Sequence, residues 1–118
     1  MASLPNDSQL ARFALTFAEA LVRRDFDAAS SMLAEFNPRV DSRQALEDQY
    51  LQMFSYSASD AENCEVMIAE DTWPQKRQGD LAWVYVAIWG SGFSEAVLAI
   101  VVDEAGQMRI RVEDWGRP

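Results

Sequence analysis

Histidine is absent from this 118-residue chain. The one side chain whose ordinary titration falls near neutral pH is therefore missing, and with it the commonest general acid–base group. Cysteine occurs once, at Cys64, which excludes an intramolecular disulfide and fits a reducing compartment. A lone thiol on a strand reads as a small core hydrophobe. Basic residues are few: ten Lys and Arg against nineteen Asp and Glu give a net charge of −9. They stand singly or in pairs (Arg23-Arg24, Lys76-Arg77), so no stripe exists to neutralise a run of phosphates, and nucleic acid is disfavoured as a partner. A basic partner is the better electrostatic match. The N-terminus MASLPNDSQLARFALTF lacks a basic leader, and Arg12 and Glu19 interrupt its apolar residues, so it does not read as a signal peptide. The apolar run from Leu81 to Val102 is broken by Gly90-Ser91-Gly92 and Glu95 and reads as a hairpin, not a transmembrane helix. A cytoplasmic protein without a membrane partner is expected.

What is present is ordinary globular material, half hydrophobic and a quarter charged. A chain of this length is one domain, 1–118, able to bury roughly two-thirds of its unfolded surface. The first half is helical. Asn6-Asp7-Ser8 offers N-cap oxygens, and Leu10, Phe13, Ala14, Phe17 and Leu21 follow at three- and four-residue spacing. Arg23-Arg24 close that helix at the carbonyl end of its macrodipole. Asp25 caps a second helix with Phe26, Ala29, Met32, Leu33 and Phe36 as its stripe, ending at Asn37-Pro38. A third begins near Asp41-Ser42, with Leu46, Tyr50, Met53 and Phe54 on one side, and breaks between Ser55 and Ala61.

The second half is a meander. Cys64, Val66 and Ile68 alternate with Asn63, Glu65 and Met67 between Glu62 and Glu70, the pattern of a half-buried edge strand with one mostly wet face. A long polar connection from Asp71 to Asp80 follows. The next strand puts Leu81, Trp83, Tyr85, Ala87 and Trp89 on one face and Ala82, Val84, Val86 and Ile88 on the other. Neither face reads as wet. The strand from Glu95 to Asp103 is almost as apolar, and a turn at Asp103-Glu104-Ala105-Gly106 leads to a last strand with Met108, Ile110 and Val112 inward and Gln107, Arg109, Arg111 and Glu113 outward. A single sheet over one helical layer should leave its far face polar; apolarity on both faces asks for a second cover.

Three helices, the second opening with Arg24-Asp25-Phe26-Asp27-Ala28-Ala29, followed by an antiparallel meander with aromatic long strands, resemble the nuclear transport factor 2-like superfamily over nearly the whole chain. The resemblance implies a cystatin-like α+β cone: three N-terminal helices in the concave face of a strongly curved antiparallel sheet, a pocket at the open end, and in many members a homodimer through the sheet. On that frame Phe13, Phe17, Tyr50, Phe54, Trp83, Tyr85 and Asp114 are the expected pocket lining. Val84, Val86, Ile88, Leu98, Ile100, Arg109 and Arg111 are the expected dimer interface. Several large side chains, each worth roughly 1.5–3 kcal/mol when buried, suffice to hold such a dimer.

The superfamily holds isomerases, dehydratases, cyclases, adaptors and immunity proteins, so fold does not select function. The histidine–aspartate pair of cyclase- and dehydratase-like members has no counterpart here. The tyrosine and strand aspartate of isomerase-like members meet Phe13, Phe17 and a Val97–Val102 run without a carboxylate. Phosphate loops, metal-ligand spacing and nucleophile elbows are also missing, and no cofactor or metal is expected. One acidic residue is a candidate base: counted in twos, Asp114 falls in phase with Ile110 and Val112, where burial would raise its pKa. Alternatively the strand frays before it and Asp114 is solvated or pairs with Arg117. The expected function is thus a non-catalytic binding domain of immunity or adaptor type, meeting a basic protein or a small apolar ligand. Asp60, Glu62, Glu65, Glu70 and Asp71 would supply its acidic surface. A pocket enzyme using Asp114 is the alternative.

Overall fold

The computed structural model describes residues 7–53, 63–70, 76–90 and 93–116. Three helices, α1 (Asp7–Val22), α2 (Phe26–Ser31) and α3 (Arg43–Met53), precede four strands, β1 (Asn63–Glu70), β2 (Asp80–Gly90), β3 (Phe93–Glu104) and β4 (Gln107–Gly116). The strands form one antiparallel sheet in the order β1-β2-β3-β4. The fold class is α+β, with the helices packed against the sheet. No described helix is long and apolar enough to cross a membrane.

The expected stripe of α1 is the one that buries. Leu10, Ala14, Phe17, Ala18 and Leu21 are lost to solvent, while Arg12, Thr16 and Glu19 stay out. They meet Ala82, Val84, Val86 and Ile88 of β2, Val97, Ala99 and Val101 of β3, and Ile110 and Val112 of β4. Burial of each large aliphatic residue there contributes roughly 1.5–3 kcal/mol. The closure of α1 is made by backbone geometry rather than by charge. Arg24 takes φ 59°, its N–H reaches Leu21 O (2.9 Å), and the Asp25 N–H reaches Ala20 O (2.8 Å), a Schellman arrangement. Asp25 then caps α2, its Oδ1 accepting from the Ala28 N–H (3.2 Å).

The second helix is shorter than its apolar spacing predicts. It stops at Ser31, not at Asn37. The Ser30 and Ser31 hydroxyls donate back to Asp27 O and Ala28 O, a local competition that weakens a helix. The chain then turns along the outer edge of β4. Ile110 N–H donates to Met32 O (2.8 Å), Ala34 N–H donates to Ile110 O (2.7 Å), and the buried Asn37 carboxamide donates to Ile110 O (3.1 Å) and accepts from Val112 N–H (3.3 Å). Met32 and Leu33 still pack on the core, but Phe36 is 52% exposed.

Helix α3 starts where the Ser42 Oγ accepts from Ala45 N–H (3.1 Å). Its Tyr50 is fully buried between Phe26 and Trp115, edge-on to both at 5.7 and 6.3 Å. Trp115 reaches that place because of a bulge. Ala99 pairs with Val112 but Leu98 pairs with Asp114, so Glu113 is extra, and the residues beyond it change face.

The β3–β4 connection is a two-residue loop, Ala105-Gly106, with φ of 54° and 83°. A type I′ hairpin turn demands positive φ at both positions, which alanine tolerates poorly. Ala105→Asn is therefore expected to raise the unfolding free energy by about 0.5–1 kcal/mol, read as a higher urea midpoint at unchanged slope.

Candidate functional site

The helices cover only the face of the sheet that carries Ala82, Val84, Val86 and Ile88. All four are buried within a single chain, and Val84, Val86 and Ile88, which were expected at a dimer interface, are at 0% exposure and so are not available to form one. The expected pocket aromatics Trp83 and Tyr85 lie on the opposite, outer face. The two faces of β2 thus have the reverse of their predicted roles. Two equally apolar faces carry no mark of which one the helices take, and the small side chains are the ones α1 covers.

The other expected residues fall in three groups. Phe17 and Tyr50 are buried in the core, and Phe13 is half-buried against it. Phe54 lies outside the described residues, as do Asp60, Glu62 and Asp71. Leu98, Ile100, Arg109 and Arg111 belong to the outer face, opposite the other expected interface residues, and Ile100 and Arg111 are already buried by neighbours in the same chain. Asp114 departs from its expected direction. The bulge at Glu113 puts it opposite Leu98 on the outer face, exposed, with its Oδ1 accepting from Trp115 N–H (2.9 Å). The burial on which a general-base role depends is absent there.

Along the centre of the outer face Tyr85, Ala87 and Trp89 of β2 are half-buried, with Leu98 of β3 beside Tyr85 and Met67 of β1, 62% exposed, on its other flank. The Tyr85 hydroxyl is buried and has no hydrogen-bond partner among the described residues. An unmatched buried hydroxyl costs about 1–3 kcal/mol.

Towards the start of β2 the same face changes character. Trp83 packs with Ala34, Ile100 and Val102. Over this patch Arg111 makes a bidentate pair with Asp80 (Nη1–Oδ1 2.7 Å, Nη2–Oδ2 2.9 Å) and donates its Nε–H to Glu113 (2.9 Å). The two paired side chains are 4% and 1% exposed. Burial works against the Arg111 charge, but the bonds to Asp80 and Glu113 outweigh it and hold the guanidinium above its ordinary range. Asp80 also accepts from Arg77 N–H (2.9 Å), and Gly79, at φ 92°, lets the turn approach β3, where Asp103 N–H donates to Gly79 O (2.7 Å). A Cβ at Gly79 would stand 3.1 Å from Asp103 O.

Beside the ion pair opens a cavity of about 250 Å³ between the Ala34–Phe36 segment and the turn at Arg77-Gln78, floored by Val102. Asp103 and Glu104 stand along it, and the Arg77 guanidinium lies 4.9 Å over the Phe36 ring. A second cavity, about 240 Å³, lies where the end of α1 meets β1, lined by Glu19, Val22, Arg23, Asn63 and Cys64. Burial first, and the Glu19 charge second, push the Cys64 thiol above its usual range. Among the described residues no cluster of three Cys, Asp or Glu could hold a metal ion.

The Asp80–Arg111 pair was not foreseeable from spacing, because it forms diagonally across β3 and depends on two registers at once. Comparison with known proteins returns no matching family model, no matching curated protein and no matching solved structure.

Two outcomes follow for these groups. Arg111→Met alone strands the Asp80 carboxylate in the interior and is expected to cost about 3–5 kcal/mol, whereas Arg111→Met with Asp80→Leu recovers most of that loss in the same denaturation measurement. A raised pKa leaves Cys64 mostly protonated at neutral pH, so its labelling by a disulfide reagent at pH 7 should be slower than that of free cysteine. The rate should climb about tenfold per pH unit until the raised pKa is passed.

Proposed function

We propose that the protein is a non-catalytic binding domain that pairs with a second copy through the outer face of its sheet and offers an acidic surface to a basic protein. The observation that carries this reading is the sheet itself: apolar on both faces, with helices over one. Tyr85, Ala87, Trp89 and Leu98 form a continuous half-buried strip on the other face, and Met67 extends it. Aromatic and methionine side chains are enriched at interface cores.

The partner surface of the pair is therefore centred on Tyr85 and Leu98 rather than on Val84 and Val86. Arg109 lies beyond the strip on β4, its Nη1–H donating to Ser31 O (2.7 Å) and its Nη2–H to Gln107 (2.8 Å), so it belongs to the rim. The net charge of −9 supports a basic macromolecular partner through steering of encounter. Kinship with nuclear transport factor 2-like domains is part of the proposal. It is supported by the order of three helices followed by an antiparallel meander.

Light scattering at micromolar concentration tests the pairing. The protein should run at twice its 13.3 kDa mass, and Leu98→Lys should halve that mass while leaving the far-ultraviolet circular dichroism unchanged. A wild-type monomer at that concentration would sink the self-association. Native mass spectrometry should show no retained small molecule; a stoichiometric one would turn the reading towards a carrier or enzyme.

A further inference from the structure

The cavity beside the Asp80–Arg111 pair has three properties that are hard to explain as packing alone. It is roomy, an open recess of about 250 Å³. It is lined by Phe36, an aromatic ring 52% exposed on a segment otherwise tied down by backbone and carboxamide hydrogen bonds. That ring is already in use as a cation platform, with the Arg77 guanidinium 4.9 Å from its centre, inside the ~6 Å range of a cation–π contact.

The charges around the cavity have one sign to spare. Arg111 is matched by Asp80, with Glu113 as a further acceptor, and contributes no unmet positive charge. Glu104 is fixed in place, both of its oxygens accepting from Glu35 N–H (3.0 and 3.1 Å). Asp103 is exposed beside it. Arg77, from an exposed turn, is a cation that lines the recess together with Asp103 and Glu104. An anion would meet these carboxylates; a guanidinium would meet an aromatic face and two acceptors.

We infer that this recess is a docking site for an arginine side chain of a basic protein partner, and that Arg77, whose guanidinium already covers the Phe36 ring, is a tethered stand-in that the partner's arginine displaces from that ring. The stand-in keeps the aromatic ring covered and sets a threshold on affinity. An incoming guanidinium gains the Phe36 face and the Glu104 and Asp103 carboxylates while Arg77 swings into solvent, with no change in the fold. The inference rests on the acidic-binding part of the proposed function and is independent of self-association.

Titration of the ¹⁵N-labelled protein with the capped tripeptide acetyl-Gly-Arg-Gly-amide tests it, with acetyl-Gly-Gln-Gly-amide as the neutral control. Saturable shifts of the Phe36, Gln78 and Asp103 amides with the arginine peptide alone are expected. Because an exposed cation–π contact sets the competition, Arg77→Ala should tighten binding about two- to fivefold, and Phe36→Ala should abolish it. Both residues are exposed, so both variants should keep the wild-type spectrum elsewhere. Equal shifts with the glutamine peptide, shifts confined to other regions, or weaker binding by Arg77→Ala would overturn the inference. A third titration, with nona-arginine, separates the two failures: shifts elsewhere on the acidic surface retain the general reading and remove this cavity from it, and no shifts remove both.

Discussion

The seating of α1 on the small-residue face of β2 is the contact on which everything else is built. The helix brings bulk, in Phe17 and Leu21, and the strands bring valine and alanine, so large and small side chains interdigitate at the density of a protein interior. Once that face is taken, every second residue of β2 is committed to the other side. Trp83, Tyr85 and Trp89 are outward because Val84, Val86 and Ile88 are inward. The location of the aromatic strip, and with it the proposed pairing surface, is a by-product of one helix choosing one face.

The outer face is held by a different kind of chemistry at its two ends. In the middle it is apolar and half-buried. At the start of β2 it is organised around an arginine in the interior, which can be there only because Asp80 and Glu113 take up its donors. The Ala34–Phe36 segment crosses to this end by way of its bonds to β4, and it is this crossing that creates a cavity wall and lifts Phe36 into view. A short helix, a strand edge and a buried ion pair thus combine to make a polar recess beside an aromatic one.

Periodicity carried most of the architecture. The α1 stripe, the Asp25 cap, the start of α3, the alternation in β2 and the turn at Ala105-Gly106 are all visible in the chain, because each depends on residues close in sequence. What was not visible depends on distant partners. Phe36 has helical spacing with Phe26, Ala29 and Leu33, and the segment goes elsewhere because the serine hydroxyls weaken the helix and Ile110 and Val112 offer it hydrogen bonds on β4. Counting in twos to Asp114 fails at one inserted residue, and the same insertion places Trp115 against Tyr50. Which face of an evenly apolar strand turns inward is undecided by the strand alone. The Asp80–Arg111 pair, the Asn37 carboxamide and the Phe36–Arg77 contact were missed for the same reason: each is a long-range match between residues that look unremarkable locally.

The Asn37 carboxamide acts as a surrogate peptide group, donating and accepting where a fifth strand would. Linear growth of stacked sheets requires two open sides on every unit, one to add to and one to be added to. With β4 occupied by its own chain over Ile110 and Val112, a unit stripped of its other protections could still join only from one direction. Edge-to-edge addition then terminates at a pair and cannot propagate into a filament. The cover of this edge is shared between the backbone of Met32 and Ala34, bonded to Ile110, and the Asn37 carboxamide, which reaches on to Val112, and together they turn a potentially endless association into a finite one.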